Sequence, residues 1–121
     1  MTDMTIRLFL ALALIASVRC VAAATNRADE AVEVQRLLAE HKCYICHSDH
    51  RAKAGPAYAD VAAQFRNARD AEAVIAAEIR NGVRHGGPWH MPPHPEVSAK
   101  DARAMARYIL SLDVRAAPRS P

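Results

Sequence analysis

The segment Cys43-Tyr44-Ile45-Cys46-His47 constrains this chain more than any other part of its sequence. The two cysteines are three positions apart, so one helical turn carries both thiols on the same side. Their sulfurs can then reach the two vinyl groups along one edge of a porphyrin, while the next imidazole projects over its face toward the iron. The pentapeptide therefore predicts a haem attached covalently through Cys43 and Cys46, with His47 as an axial ligand.

Two other kinds of site contain a Cys-x-x-Cys pair, and the context argues against both. A zinc site usually has four ligands, but the only other cysteine is Cys20, inside an apolar leader. His47 and His50 also lie too close to Cys46 for an ordinary zinc finger. A thioredoxin-like dithiol site needs strands that alternate with helices, whereas the flanks here are alanine-rich and helical in pattern. Haem is the favoured interpretation, with zinc binding and dithiol chemistry as alternatives.

The first 24 residues have the features of a secretory signal peptide. Arg7 precedes an apolar run over residues 8–18, and Ala22-Ala23-Ala24 supply an A-x-A cleavage pattern before Thr25. The run is too short to cross a bilayer, which takes about 20 residues, so a retained anchor is the weaker interpretation. We expect residues 1–24 to be cleaved and the protein to be exported to the periplasm.

Cysteine usage in the exported chain leaves no room for a disulfide framework. Cys20 would be discarded with the leader, and Ser17 and Arg19 do not resemble the small residues that normally precede a lipid-modified cysteine. A lipidated N-terminus at Cys20 is the alternative. After cleavage, Cys43 and Cys46 are the only cysteines left.

Composition limits both the core and the partners of this protein. Only 5% of the residues are aromatic, and much of the apolar content is alanine, which buries little area per side chain. A buried porphyrin would supply the missing apolar mass, so we expect the apoprotein to be poorly folded. The formal net charge is only +3, and no basic run is interleaved with aromatics. Neither nucleic acid nor stable membrane insertion is predicted.

Helical periodicity predicts one all-α domain over residues 25–114, followed by a flexible tail over residues 115–121. Apolar positions recur on one face of each helical segment, and Asn81-Gly82 is a strong helix stop. Ser98 and Asp101 form an imperfect capping box at the start of the last helix. Helices are predicted over residues 29–42, 58–65 and 70–81, and from Ser98 to about residue 112.

The loop over residues 82–97 is the candidate source of a second axial ligand. Gly86-Gly87-Pro88 and Met91-Pro92-Pro93 prevent a helix or a central strand from persisting there, so a long extended loop is predicted. The two prolines hold Met91 in a fixed conformation, and a thioether ligand raises the potential of an electron carrier. Met105 is a competing methionine, but it lies on the apolar stripe of the last helix. Bis-histidine ligation would instead use His85, His90 or His94.

Several further segments, together with the haem motif, carry a resemblance to a known family. They are Gly55-Pro56-Ala57-Tyr58, Arg80-Asn81-Gly82-Val83, Met91-Pro92-Pro93 and Ala106-Arg107-Tyr108-Ile109-Leu110-Ser111. On these segments the chain resembles the small monohaem class I cytochromes c of bacteria, the short periplasmic type known as cytochrome c551 or c8. The resemblance covers residues 29–114.

This resemblance implies an all-α class I cytochrome c fold, with three to four helices around one covalently bound haem. It implies that the Pro56 carbonyl accepts a hydrogen bond from the His47 ring, which fixes the orientation and basicity of the imidazole. Tyr108 would occupy the aromatic position where the first and last helices cross. Trp89 would pack against the haem or donate to a propionate. Lys42 stands where the family usually has glycine.

The expected function is one-electron transfer, with the iron cycling between Fe(III) and Fe(II) while His47 and Met91 stay bound. Because both axial positions are filled, we expect an electron carrier without substrate chemistry. We expect it to be a monomer that exchanges electrons with redox partner proteins. Exchange is expected near Cys43 and Cys46 through a small transient interface, with weak electrostatic steering because the overall charge is near neutral. The alternatives are a dedicated subunit of an exported dehydrogenase or oxidase, a peroxidase-like haem domain, and a zinc-binding module.

Overall fold

A computed structural model of the chain describes residues 26–84 and 90–113. The chain divides into two compact units, Met1–Glu33 and Val34–Pro121. In the first unit the described residues, 26–33, are helical. The predicted signal peptide and the predicted tail over residues 115–121 lie outside the described residues.

The elements follow the predicted order, with one addition. Residues 26–40 are helical (α1), and the other elements are the 3₁₀ turn Cys43–Ile45, α2 Tyr58–Phe65, α3 Ala71–Asn81, β1 Val83–Arg84, β2 His90–Met91 and α4 Ala99–Ser111. The four predicted helices are therefore confirmed, with ends that differ by at most three residues. Among the described residues, no helix is long and apolar enough to cross a membrane.

Local interactions explain where α3 ends and where α4 begins. The backbone N–H of Asp101 donates to Ser98 Oγ at 3.0 Å, and that hydroxyl donates to Asp101 Oδ2 at 2.7 Å. This pairing satisfies one N-terminal N–H of α4, and it differs from a full capping box because the carboxylate accepts from a hydroxyl. At the end of α3, Gly82 adopts a φ of 76°, a left-handed conformation that favours glycine.

The core of the second unit is formed mainly by the packing of α4 against α3 and α2. Its largest fully buried side chains are Leu38, Met105 and Val97. Most other buried positions on these helices are alanine, including Ala59, Ala62, Ala71, Ala76, Ala102 and Ala106. Such side chains bury little apolar area, as the composition predicts.

The segment after α3 contains a short antiparallel ladder that the sequence did not predict. Val83 pairs with Met91 and Arg84 with His90, so the expectation of a loop without strands is wrong here. Two residues per strand are too few to produce a visible alternation of polar and apolar positions. Pro92 and Pro93 lack the backbone N–H that would continue the ladder.

Candidate haem-binding site

The Cys-x-x-Cys-His motif begins where α1 ends. Lys42 has φ 60° and ψ 20°, a left-handed conformation that costs a residue with a side chain about 1 kcal/mol. The chain then enters the 3₁₀ turn, which closes with hydrogen bonds from the N–H groups of Cys46 and His47 to the Cys43 carbonyl, at 3.2 and 3.0 Å. Neither cysteine forms a disulfide; Cys43 is partly buried and Cys46 is exposed.

His47 is held by its hydrogen bond and by an aromatic neighbour. Its Nδ1 lies 2.8 Å from the Pro56 carbonyl oxygen, the contact that the family resemblance implies. The Tyr58 ring stacks on the imidazole, with centroids 5.1 Å apart and planes 16° apart. The residue is 9% exposed. Because Nδ1 donates its proton to the carbonyl, Nε2 carries the lone pair that a metal ligand needs.

Gly55 lets the following loop approach the imidazole closely. A Cβ atom at this position would lie 2.8 Å from Nδ1 and 2.9 Å from Nε2 of His47, well inside van der Waals contact. The backbone N–H of Gly55 donates to the Cys46 carbonyl at 2.7 Å. The loop over residues 48–55 therefore closes back onto the motif, and only glycine fits at its end.

A hydrogen-bond network around Asp49 joins the motif to α1 and α4. Tyr108 OH donates to Asp49 Oδ2 at 2.6 Å, and Tyr44 OH donates to Asp49 Oδ1 at 3.2 Å. Gln35 Nε2 donates to Tyr108 OH at 2.7 Å. Burial, and then the Asp49 hydrogen bond, raise the pKa of Tyr108, so its hydroxyl keeps the proton that it donates. Tyr108 was predicted at the crossing of the first and last helices, whereas no sequence pattern indicated its partner Asp49.

Met91 lies in β2. Its backbone passes close to Gly82, the residue at the end of α3. A Cβ atom on Gly82 would lie 2.7 Å from the Met91 carbonyl oxygen and 2.8 Å from Pro93 N. The methionine is partly buried, whereas the neighbouring His90 is exposed. Trp89 lies outside the described residues, as does His85.

Two hydrogen bonds from α3 hold the chain after the prolines. The N–H of His94 donates to the Ile79 carbonyl at 3.2 Å, and Arg80 Nε donates to the Val97 carbonyl at 3.0 Å. The segment that carries Met91 is therefore fixed on both sides of Pro92-Pro93. In the sequence, Arg80 is recognisable only as part of the Arg80-Asn81-Gly82-Val83 segment. Its hydrogen-bond partner Val97 is 17 positions away, so the contact could not be predicted.

The Glu96 carboxylate lies close to two histidines, His41 and His94. Its Oε1 is 3.0 Å from His94 Nδ1 and 3.8 Å from His41 Nδ1. A backbone N–H hydrogen bond to its own carboxylate, followed by the His94 contact, lowers the pKa of Glu96. The Glu96 carboxylate thus contacts His41, which precedes Lys42, and His94, which lies in the segment after Met91.

The donor set fits a covalently attached haem. Cys43 and Cys46 supply two free thiols on one turn, and His47 supplies an oriented imidazole. Within residues 26–84 and 90–113, no three His, Cys, Asp or Glu side chains are grouped so that they could hold a metal ion. A groove of about 390 Å³ at the far end of α2, between Phe65 and Leu110, contains none of the predicted site residues.

The fold and the motif define a class of small all-α proteins that attach haem through Cys-x-x-Cys-His. Residues 31–113 match the cytochrome c family, and the chain belongs to that family. Cytochrome c-551 of Allochromatium vinosum is 41% identical over 71 residues, which is 58% of this chain and 76% of that protein. Cytochrome c-551 of Pseudomonas aeruginosa is 43% identical over 70 residues, covering 57% and 66%.

A solved structure supports the same assignment. The crystal structure of wild-type Nitrosomonas europaea cytochrome c552 has a TM-score of 0.62 and 35% identity to this chain, and it covers 65% of this chain and 99% of that one. These similarities confirm the predicted class I cytochrome c fold with one covalently bound haem c. They also confirm a role in electron transfer with redox partner proteins, rather than catalysis.

Replacing Gly55 with alanine should disturb His47, because the added methyl group would occupy space that the imidazole fills. Overpacking of this kind costs about 1–3 kcal/mol. We expect a loss of that size in the unfolding free energy of the holoprotein, measured by guanidinium denaturation followed by circular dichroism. The exposed neighbour Ala54 provides the control, and Ala54→Ser should change little. A Gly55→Ala protein as stable as the parent would contradict the close approach.

Glu96 should contribute to stability in a pH-dependent way. Because folding lowers its pKa, its contribution is present above the ordinary value of 4.5 and is lost as the pH falls through the lowered value. The midpoint of thermal unfolding should be higher for the parent than for Glu96→Gln at about pH 6, and the difference should shrink toward zero near about pH 3. A difference that is constant over this range would show that the carboxylate's ionisation is not involved.

Proposed function

We propose that this chain is exported to the periplasm, loses residues 1–24, and acts there as a monomeric one-electron carrier with His47 and Met91 as the axial ligands of its haem iron. The observation that carries the proposal is the oriented imidazole of His47, with Nδ1 on the Pro56 carbonyl beside two free thiols. The working domain in this proposal is residues 25–114.

The haem, when bound, supplies an iron that accepts and releases one electron. Cys43 and Cys46 would hold it through thioether bonds, so the cofactor would not be lost between encounters. The Pro56 carbonyl keeps the His47 ring in one orientation, so the proximal ligand needs no rearrangement when the iron changes oxidation state. The proposal also assigns haem packing or a hydrogen bond to a propionate to Trp89, which lies outside the described residues.

Three observations support Met91 as the second ligand. Gly82 and Pro92-Pro93 fix its backbone, and the segment after it is tied to α3. Successive side chains in a strand point to opposite faces, and in β2 it is His90 that is exposed while Met91 is partly buried. The competing Met105 is fully buried in α4 and forms part of the core.

The exchange surface in this proposal lies where the thioether edge would reach the solvent. Cys46 is exposed and Cys43 is partly buried, so the haem edge between them would be close to the surface. Small transient interfaces are typical of redox encounters. A diffusible carrier needs no more than this edge to exchange electrons with a donor and an acceptor.

Replacing Met91 with alanine should abolish the charge-transfer band between ferric iron and methionine sulfur, and should lower the reduction potential, because the thioether favours ferrous iron. Met105→Leu is the matched control. A volume-conserving swap in the core usually costs less than about 1.5 kcal/mol, and this variant should keep the band. An unchanged spectrum in Met91→Ala would show that the distal ligand is misassigned, and His90→Ala would then be measured in the same way.

A further inference from the structure

A carboxylate and two imidazoles join the segment after Met91 to the end of α1. Glu96 Oε1 accepts a hydrogen bond from His94 Nδ1 at 3.0 Å and lies 3.8 Å from His41 Nδ1. The side chains of His41 and His94 are 23% and 24% exposed, whereas that of Glu96 is 54% exposed. The two rings are therefore mostly covered, and a more exposed carboxylate bridges them. We use the term Glu96 latch for His41, His94 and Glu96.

The α1 end of the latch is continuous with the haem-attachment turn. The His41 N–H donates to the Leu37 carbonyl at 3.0 Å, and the His41 carbonyl oxygen lies 3.9 Å from Cys43 Sγ. Only Lys42, in its left-handed conformation, separates His41 from Cys43 in the chain. The imidazole of His41 is therefore carried by the same stretch of backbone that positions the first attachment cysteine.

The other end of the latch is linked to Met91 by a stiff stretch of chain. Pro92 and Pro93 are the only residues between Met91 and His94, and the ring of each proline fixes one backbone dihedral. A displacement at His94 is therefore passed on to the methionine. The His94 N–H donates to the Ile79 carbonyl at 3.2 Å, so α3 holds the backbone of this residue while the latch holds its side chain.

The latch opposes the movement by which a methionine ligand is lost. For a thioether to leave an iron and be replaced, the side chain must swing away and a small molecule must reach the vacated position. Contacts that hold the segment on either side of the methionine resist both events. Helix α3 supplies backbone contacts of this kind, and the latch adds a contact from α1, the helix that leads into the attachment turn.

We propose that Glu96 is a positioning residue for Met91, and that the Glu96 latch keeps the Met91 segment closed and limits displacement of the thioether by small external ligands. The inference rests on the proposed ligation by His47 and Met91, and it adds the group that controls how firmly the second ligand is held. The three latch side chains act through the position of the backbone and do not themselves bind the iron.

The limiting rate of methionine displacement tests the latch. Ferric holoprotein is mixed with increasing concentrations of imidazole at about pH 6, where a carboxylate is ionised and an imidazole side chain can carry charge. Loss of the charge-transfer band between iron and methionine sulfur gives the rate, which levels off at the rate of Met91 release when imidazole is in excess. Glu96→Gln keeps the shape of the side chain and removes its charge. It should raise the limiting rate about three- to tenfold, because two partly exposed contacts are weakened.

Glu72→Gln is the matched control. The Glu72 carboxylate also contacts two basic side chains, Arg103 at 3.8 Å and Arg107 at 3.4 Å, but it joins α3 to α4. Its replacement should change the limiting rate less than about twofold, because separate sites act independently. The unfolding free energy of both variants is measured as well. Limiting rates that follow the loss of stability equally in both variants would overturn the latch.

A double variant tests whether His41 belongs to the latch. His41→Gln removes the basic ring at the α1 end and should by itself raise the limiting rate. In a His41→Gln protein, Glu96→Gln should then raise the rate by a smaller factor than it does in the parent, because one of its contacts is already broken. Factors that simply multiply in the double variant would overturn the connection to α1.

The outcomes separate the latch from the proposed function. If the ferric parent shows the methionine band but Glu96→Gln releases Met91 no faster than the parent, the latch is wrong and the proposed ligation stands. If the ferric parent lacks the band, the proposed ligation by Met91 fails, and the latch fails with it.

Discussion

The hydrogen bond between His47 Nδ1 and the Pro56 carbonyl is the interaction on which the rest of the site depends. It assigns the proton to Nδ1 and leaves the lone pair on Nε2, the atom that we propose binds the haem iron. The bond can form because Gly55 has no side chain, so the loop closes against the ring. Tyr58, two residues after Pro56, is the first residue of α2 and stacks on the same imidazole, so the short helix also orients the His47 ring.

Met91, the second ligand in our proposal, is held by different means from His47. Met91 belongs to a two-residue strand rather than to a helix, and the left-handed Gly82 brings the end of α3 against its backbone. Arg80 then fixes the chain beyond the prolines. The core is rich in alanine, so few large side chains fix the positions of the helices and loops. These polar and backbone contacts take over that role, together with the haem.

Local signals in the sequence predicted the helices and the haem motif well, because each depends on residues close together in the chain. The Gly82 stop and the Ser98 cap are examples. Partners far apart in the sequence were not predictable in this way. Asp49 and Tyr108 are 59 positions apart, and the β1–β2 ladder has no alternation to reveal it. The Lys53 contact with the Tyr44 carbonyl depends on how the loop closes, which no spacing rule describes.

The most direct test is a mass and optical analysis of the protein exported from a host that can attach haem. The tryptic peptide over residues 43–51, which follows Lys42 and ends at Arg51, should carry the mass of one haem, and the intact protein should show the spectrum of a low-spin c-type haem. A colourless protein whose mass equals that of its polypeptide would contradict the account.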